Sequence, residues 1–265
     1  MDSPSQIRKP SLKARLRQKE ATVGSWITLG HPAVAEIMAR SGFDWLAVDL
    51  EHSVIGLREA EELIRVIDLC GIAPLVRLSA NDPVQIKRVM DAGAHGVIVP
   101  MVNSRAEAEA AVAALRYPPA GRRGVGLARA QGYGTRFDEY KAWLEKESLV
   151  IVQVEHIQAV ANLHEILGVE GVDGFLVGPY DLSGSLGLPG QFDHPSVADA
   201  LREVMRAAEK HQAVAGYHVV QPQPDRAQEK LREGYKFLAY GVDFLFLGES
   251  CRQGLRTIRG AMERP

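Results

Sequence analysis

Cysteine is almost absent from this chain: Cys70 and Cys251 are the only two in 265 residues. Two thiols cannot build a disulfide framework or a thiolate metal centre, and their scarcity suits a reducing cytoplasm, with both expected in the core. Charge of one sign is also lacking. Lys and Arg number 31 against 33 Asp and Glu, and aromatics are 6 %, so the basic, aromatic-laced surface that grips nucleic acid is excluded. No apolar run nears the roughly 20 residues of a membrane span, and Met1-Asp2-Ser3-Pro4-Ser5 leads into no apolar leader segment. A soluble, untargeted protein is expected. No Gly-x-Gly-x-x-Gly follows a strand, since Gly121 to Gly126 lies in a loop with no strand before it. There is no linker-like, low-complexity or repeated segment, and a hydrophobic fraction of 46 % supplies one large core. One domain over 1–265 is expected, with 1–20 as an N-terminal extension and helix, acting on a small molecule.

What is present is an alternation of apolar strands and amphipathic helices, organised around Phe43 to Ser53. An apolar run bounded by Gly42 and Gly56 reads as a strand buried on both faces, with Asp49, Glu51 and His52 falling just beyond its end. The bland reading is that the acids cap the helix starting near Leu57. Before this stretch, Ser11 to Lys19 reads as a short amphipathic helix capped by Ser11 and plugging or flanking the barrel. Val23 to Leu29 reads as a first strand, and Pro32 to Arg40 as a helix with Val34, Ile37 and Met38 inward. After it come a helix over Leu57 to Leu69, a strand over Pro74 to Arg77, a helix opened by Asp82-Pro83 and closed by Gly93, a strand over Gly96 to Val99, and a helix over Ala106 to Leu115. From Tyr117 to Tyr140 the period is lost among five glycines and Arg122, Arg123, Arg129 and Arg136. That stretch is expected as a long loop, either serving an anionic ligand or lying as a solvated excursion. Alternation resumes with strands over Leu149 to Val154, Gly174 to Val177, Ala213 to Val220 and Phe244 to Leu247, and helices over Ala159 to Leu167, Val197 to Lys210 and Pro224 to Glu233. Eight such repeats imply a single closed (β/α)₈ TIM barrel, an α/β fold.

In such barrels the reacting groups stand where strands end, because those ends converge on one mouth. The strand ends here deliver Asp49, Glu51 and His52; Arg77; Gln153 and Glu155; and Gly178-Pro179-Tyr180-Asp181. Carboxylates at adjacent strand ends make an oxygen-rich site of the kind that hard or borderline divalent ions such as Mg²⁺, Mn²⁺ or Co²⁺ occupy. The competing readings are an ion pair to an arginine for Glu155 and a helix N-cap for Asp181. No lysine stands at a strand end, so a Schiff base is not expected: Lys87, Lys141, Lys146, Lys210, Lys230 and Lys236 fall on helices, loops or their flanks. His31, His95, His164, His194, His211 and His218 show no ligand spacing and are expected to be surface or structural residues. His156, beside Glu155, is the exception.

These residues carry a resemblance. Gly42-Phe43-Asp44-Trp45, Asp49-Leu50-Glu51-His52, Val76-Arg77, Pro100-Met101-Val102, Gly121-Arg122-Arg123-Gly124, Ala128-Arg129-Ala130, Gln153-Val154-Glu155 and Gly178 to Gly187 stand in the order found in the class II pyruvate aldolases of the HpcH/HpaI aldolase/citrate lyase type. The chain resembles that family from Val23 to Gly248. The resemblance implies Glu155 and Asp181 as metal ligands, His52 as the catalytic base supported by Asp49, and Arg77 as the residue holding the pyruvate keto oxygen. It also implies a homohexamer of dimers that exchange the last helix. Substrate contacts then fall to Gln153 and to Gly178, Pro179, Tyr180, Asp181 and Leu182, whose amides could hold a carboxylate. Trp26, Arg122, Arg123, Arg129 and His156 are candidates for the aldehyde side or its loops. The implied reaction is reversible cleavage of 4-hydroxy-2-oxo acids to pyruvate and an aldehyde through an enolate at a divalent ion. The alternatives are a related lyase or decarboxylase acting on oxaloacetate or a CoA ester, and a catalytically silent binding barrel. His156-Ile157, Tyr180 and Gly216 to Pro222 depart from the common family pattern, which bears on aldehyde specificity.

Overall fold

The computed structural model describes residues 10–262. The expectations for the first nine residues lie outside the described residues. In chain order the elements are α1 (Leu12–Arg17), β1 (Thr22–Ile27), α2 (Pro32–Ala39), β2 (Trp45–Asp49), α3 (Leu57–Leu69), β3 (Ala73–Arg77), α4 (Pro83–Ala92), β4 (Gly96–Val99), α5 (Arg105–Leu115) and α6 (Phe137–Glu147). There follow β5 (Leu149–Val154), α7 (Ile157–Ala161), α8 (Leu163–Leu167), β6 (Gly174–Val177), α9 (Pro179–Ser185), α10 (Pro195–His211), β7 (Val214–Val219), α11 (Pro224–Arg232), β8 (Phe237–Val242) and α12 (Asp243–Met262). The eight strands close, all parallel and in sequence order, into one barrel. No helix of the described residues is long and apolar enough to cross a membrane.

Two apolar layers result from the strand period of two. Side chains pointing outward, such as Leu46, Val48, Val76, Val97, Val150 and Val152, meet the helices. Those pointing inward, Trp45, Leu75, Ile98, Ile151, Leu176 and Phe237, fill the barrel. Trp45 stacks on Phe237 at 4.2 Å, and Gly24 makes this possible, because a Cβ there would overlap the indole. As expected, α1 plugs the barrel: its Leu12 and Leu16 join the interior layer, and Ser11 caps its first turn at Ala14 N–H. Lys13, buried beside them, donates to Ser148 O at 2.7 Å and pairs with Asp173 at 2.7 Å.

Several expectations are corrected. The eighth strand is Phe237–Val242, while Phe244 to Leu247 is the opening of α12. A four-residue apolar run fits either element. What decides is Gly241, at φ +64, which bulges the strand and ends it, while the Asp243 carboxylate accepts from the N–H groups of Thr28 and Leu29 and ties the junction to β1. The expected helix Ala159 to Leu167 divides at Asn162 into α7 and α8. The expected loop holds to Arg136 with one 3₁₀ turn at Gly132–Gly134, and only its end, Phe137 to Tyr140, belongs to α6, whose fully buried residues are Tyr140 and Leu144. On α2, Ile37 is 67 % exposed and Ala35 takes the inward place. Cys251 is exposed on α12, against expectation, whereas Cys70 is partly buried and packs against the core.

Candidate functional site

The register of β2 against β3 sets Asp49 level with Arg77 at the carboxyl ends of the two strands. Both side chains point inward, and they form a two-point ion pair: Arg77 Nε donates to Asp49 Oδ1 at 2.9 Å and Nη2 to Oδ2 at 2.5 Å. Burial alone would push the Asp49 carboxyl up, but the hydrogen bonds and charge of Arg77, with the N–H groups of His52 and Glu51, outweigh it and hold it below its ordinary value. Asp49 Oδ1 also accepts from those two N–H groups at 3.2 and 3.0 Å, so one carboxylate fixes both the arginine and the turn that follows the strand. The structure therefore alters the expected partnership. Asp49 reaches the backbone of His52, not its ring. The ring, 62 % exposed at the rim, has its Nε2 3.7 Å from Glu51 Oε2.

Glu51 was legible at the strand end but carried no role in the sequence reading. Its Oε2 is buried without a hydrogen-bond partner and lies 3.5 Å from Arg77 Nε. Burial raises its carboxyl; Arg77 opposes this, and the charges of Asp49 and Asp181 add to it. Glu155, buried at the end of β5, accepts from Met101 N–H at 2.5 Å and from Gln153 Nε2 at 2.6 Å. Burial, reinforced by the charges of Glu51 and Asp181 and opposed by the Met101 N–H, pushes its carboxyl up to about 7. Asp181 sits in the first turn of α9. A Cβ added to Gly178 would come 3.3 Å from Glu155 Oε2 and 3.6 Å from Asp181 Oδ2, so both carboxylates border one small space that a side chain there would narrow.

This donor set suits a hard divalent ion. Three like charges face one another in a low-dielectric setting, a buried carboxylate oxygen is orphaned, and the ligands are oxygen alone. Among the described residues no three His, Cys, Asp or Glu side chains close on one point by themselves. Glu155 and Asp181 would thus supply two ligands and leave the remaining positions for water or substrate, as magnesium-type sites do.

The other predicted residues divide between mouth and far end. Of the N–H groups expected to hold a carboxylate, that of Gly178 donates to Val154 O, Pro179 has none, and that of Leu182 donates to Gly178 O. Tyr180 and Asp181 remain. Tyr180 is exposed against Phe192, Leu182 is buried beneath, and His156 caps α7 through Gln158 N–H. Trp26, inward on β1, lies under Arg77, whose Cζ is 4.2 Å from the indole centroid. The loop arginines lie elsewhere within one chain. The stretch joins α5 to α6 and β5, hence runs at the end of the barrel opposite the mouth. There Arg123 pairs with Asp91 and Tyr140, Arg129 pairs with Asp68 and donates to Ala92 O, and Arg122 is exposed. His218 points inward from β7 and accepts from Trp26 Nε1 at 3.0 Å, a place that the structural reading of a lone histidine did not reveal. Counting by twos from Val214 and Gly216 reaches it. No lysine stands at a strand carboxyl end among the described residues.

Comparison with known proteins bears on the same mouth. The chain is 37 % identical to 2-keto-3-deoxy-L-rhamnonate aldolase of Escherichia coli (strain K12) over 255 residues, 96 % of this chain and 94 % of that protein. It is 38 % identical to hydroxypyruvate/pyruvate aldolase of Pseudomonas aeruginosa over the same shares. The crystal structure of an HpcH/HpaI aldolase/citrate lyase family protein from Burkholderia cenocepacia J2315 superposes with a TM-score of 0.89 at 34 % identity, covering 94 % of this chain and 98 % of that one. The family model described as HpcH/HpaI aldolase/citrate lyase matches residues 22–248, from the first strand to the start of the last helix, and the chain belongs to that family.

Proposed function

We propose that this protein is a divalent-metal-dependent pyruvate aldolase that reversibly cleaves 4-hydroxy-2-oxo acids to pyruvate and an aldehyde. One observation carries the reading: an oxygen-only anionic cluster, Glu51, Glu155 and Asp181, shares the mouth with an arginine whose aim is fixed by Asp49. Cleavage leaves an electron pair beside a ketone, and the oxygen that receives it as an enolate must be stabilised while charge builds. Mg²⁺, Mn²⁺ or Co²⁺, held by Glu155 and Asp181, supplies Lewis-acid polarisation of that oxygen when bound.

The chain's own residues do the rest. Arg77 donates to the keto oxygen, and its two-point hold on Asp49 prevents it from swinging away. Gln153 fixes the orientation of Glu155, and the first-turn N–H groups of Tyr180 and Asp181 are placed for a substrate carboxylate. In cleavage His52 takes the proton from the C4 hydroxyl, the C3–C4 bond breaks, and its electrons pass to the enolate oxygen; in addition the proton returns. Glu51 is the carboxylate beside the His52 ring. Tyr180 and His156 are assigned to the aldehyde side, whereas Trp26, buried beneath Arg77, is not.

The relatives named as aldolases support a carbon–carbon lyase. A homohexamer of dimers exchanging α12 accompanies this reading: residues 251–262 of that helix are exposed in one chain, among them Leu255, Ile258 and Met262. The test is pyruvate release from a panel of 4-hydroxy-2-oxo acids and from oxaloacetate, before and after chelation and on re-addition of each ion. Chelator-sensitive release from the hydroxy-oxo acids is expected. Release from oxaloacetate alone would favour a lyase or decarboxylase, and no release from any would favour a silent barrel.

A further inference from the structure

The interior layer nearest the mouth contains a residue that the proposed chemistry leaves idle. Along β7 the inward positions are Val214, Gly216 and His218, and His218 stands at the level of Trp26 on β1. The two rings meet edge to face at 5.4 Å between centroids. An indole N–H can only donate, so the 3.0 Å contact makes His218 Nε2 the acceptor and places the imidazole proton on Nδ1. The carbonyl of Gly241, the bulged residue of β8, is a further polar neighbour of the ring. Burial, with the charge of Arg77, pushes the His218 pKa down to about 3, in keeping with a neutral ring, while the Gly241 carbonyl and Asp49 oppose the shift. Nε2 is thereby committed to the indole and cannot at the same time accept a proton from substrate.

We infer that His218 is a positioning residue for the reacting arginine: by accepting from Trp26 Nε1 it fixes the indole face on which the Arg77 guanidinium rests. Arg77 is then held on two sides, by Asp49 in the plane of the guanidinium and by Trp26 across its face at 4.2 Å. Apolar packing in the interior layer holds the indole in place, and the hydrogen bond to His218 is the polar contact of its side chain that selects the ring's orientation there. The inference rests on the reading of Arg77 as the group that meets the enolate oxygen.

The test uses the full-length, metal-loaded protein and retro-aldol cleavage. His218→Leu keeps the bulk and removes the acceptor. It should lower kcat by about tenfold, the scale of one lost hydrogen bond, with KM and metal affinity unchanged. The indole N–H resonance of Trp26, assigned by its loss in Trp26→Phe, should shift. His218→Gln, whose carbonyl can accept, should recover activity. In the Trp26→Phe background, His218→Leu should cost nothing further. Full kcat in His218→Leu, or an equal loss with and without Trp26, overturns the inference. If His218→Leu does not fold, Trp26→Phe alone decides: a fall in kcat at constant KM supports the inference, and wild-type turnover overturns it. Arg77→Lys separates the two levels. Normal turnover there removes the role of Arg77 itself, whereas a crippled Arg77→Lys beside a normal His218→Leu refutes only the part played by His218.

Discussion

Replacing Asp49 with Asn probes the most tightly built contact of the mouth. Asp49 is 1 % exposed and accepts four hydrogen bonds, two from Arg77 and two from the N–H groups of Glu51 and His52. An amide in its place turns one acceptor into a donor facing the donors of Arg77, and it removes the charge that balances the guanidinium. Breaking a buried pair on one side costs about 3 to 5 kcal/mol. Glu51, 3.5 Å from Arg77 Nε, offers partial relief and sets the expectation at the lower end. For a chain of this size about 3 kcal/mol corresponds to a fall in Tm of roughly 6 to 12 °C. Freed from its anchor, Arg77 loses its aim, and kcat should fall by about 10²-fold, the scale of one lost oxyanion donor. Glu155 and Asp181 are untouched, so metal affinity should persist. Thermal unfolding, metal titration and retro-aldol kinetics on one preparation check all three. An Asp49→Asn protein with wild-type Tm and only a slight loss of turnover would refute this placing of Asp49, and would return it to the lesser task of supporting His52.

Three further outcomes are expected. His52→Ala should bind metal and pyruvate as before while kcat falls by about 10² to 10⁴-fold, and parallel loss of both affinities would count against His52 as the base. Gly178→Ala places a methyl 3.2 Å from Glu155 Cβ and near Asp181 Oδ2, so divalent-ion affinity measured by calorimetry should drop while the fold persists; unchanged affinity would separate that space from the ion. Tyr140 and Tyr217 are pushed up to about 12, chiefly by burial. Because the unfolded phenols ionise near 10.0, stability should be full below that pH and decline as pH rises toward 12, by up to about 3 kcal/mol for each group. Denaturant titrations across that range check it, and a flat profile would contradict it.

Much of the barrel was legible because buried parallel strands leave apolar runs between glycines and prolines. Gly96–Val99, Leu149–Val154 and Gly174–Val177 fall where the sequence places them, and the Leu57–Leu69 helix announces itself by Ala60, Leu63, Ile64 and Ile67. Strand eight was not legible in the same way. Phe244 to Leu247 is as apolar as any strand, and only the bulge at Gly241 and the tie from Asp243 to β1 make it a helix start. α6 escaped notice because its inward residues, Phe137, Tyr140, Trp143 and Leu144, are interleaved with charged ones and follow directly on the glycine- and arginine-rich loop. At the mouth, strand ends pointed to Asp49, Arg77, Glu155 and Asp181. Pairing could not be read from position: that Asp49 serves Arg77 and that Glu51 lies beside the His52 ring depend on register and on the turn after β2.

The proposed role of Glu155 and Asp181, to hold the ion on which formation of the pyruvate enolate depends, has a direct test. Exchange of the pyruvate methyl protons for deuterium, followed by NMR without any aldehyde, isolates that step. Exchange should proceed with Mg²⁺, Mn²⁺ or Co²⁺, stop on chelation, resume when the ion is restored, and be lost in Glu155→Gln at every ion concentration. Exchange that continues at the wild-type rate in chelated Glu155→Gln would contradict the account.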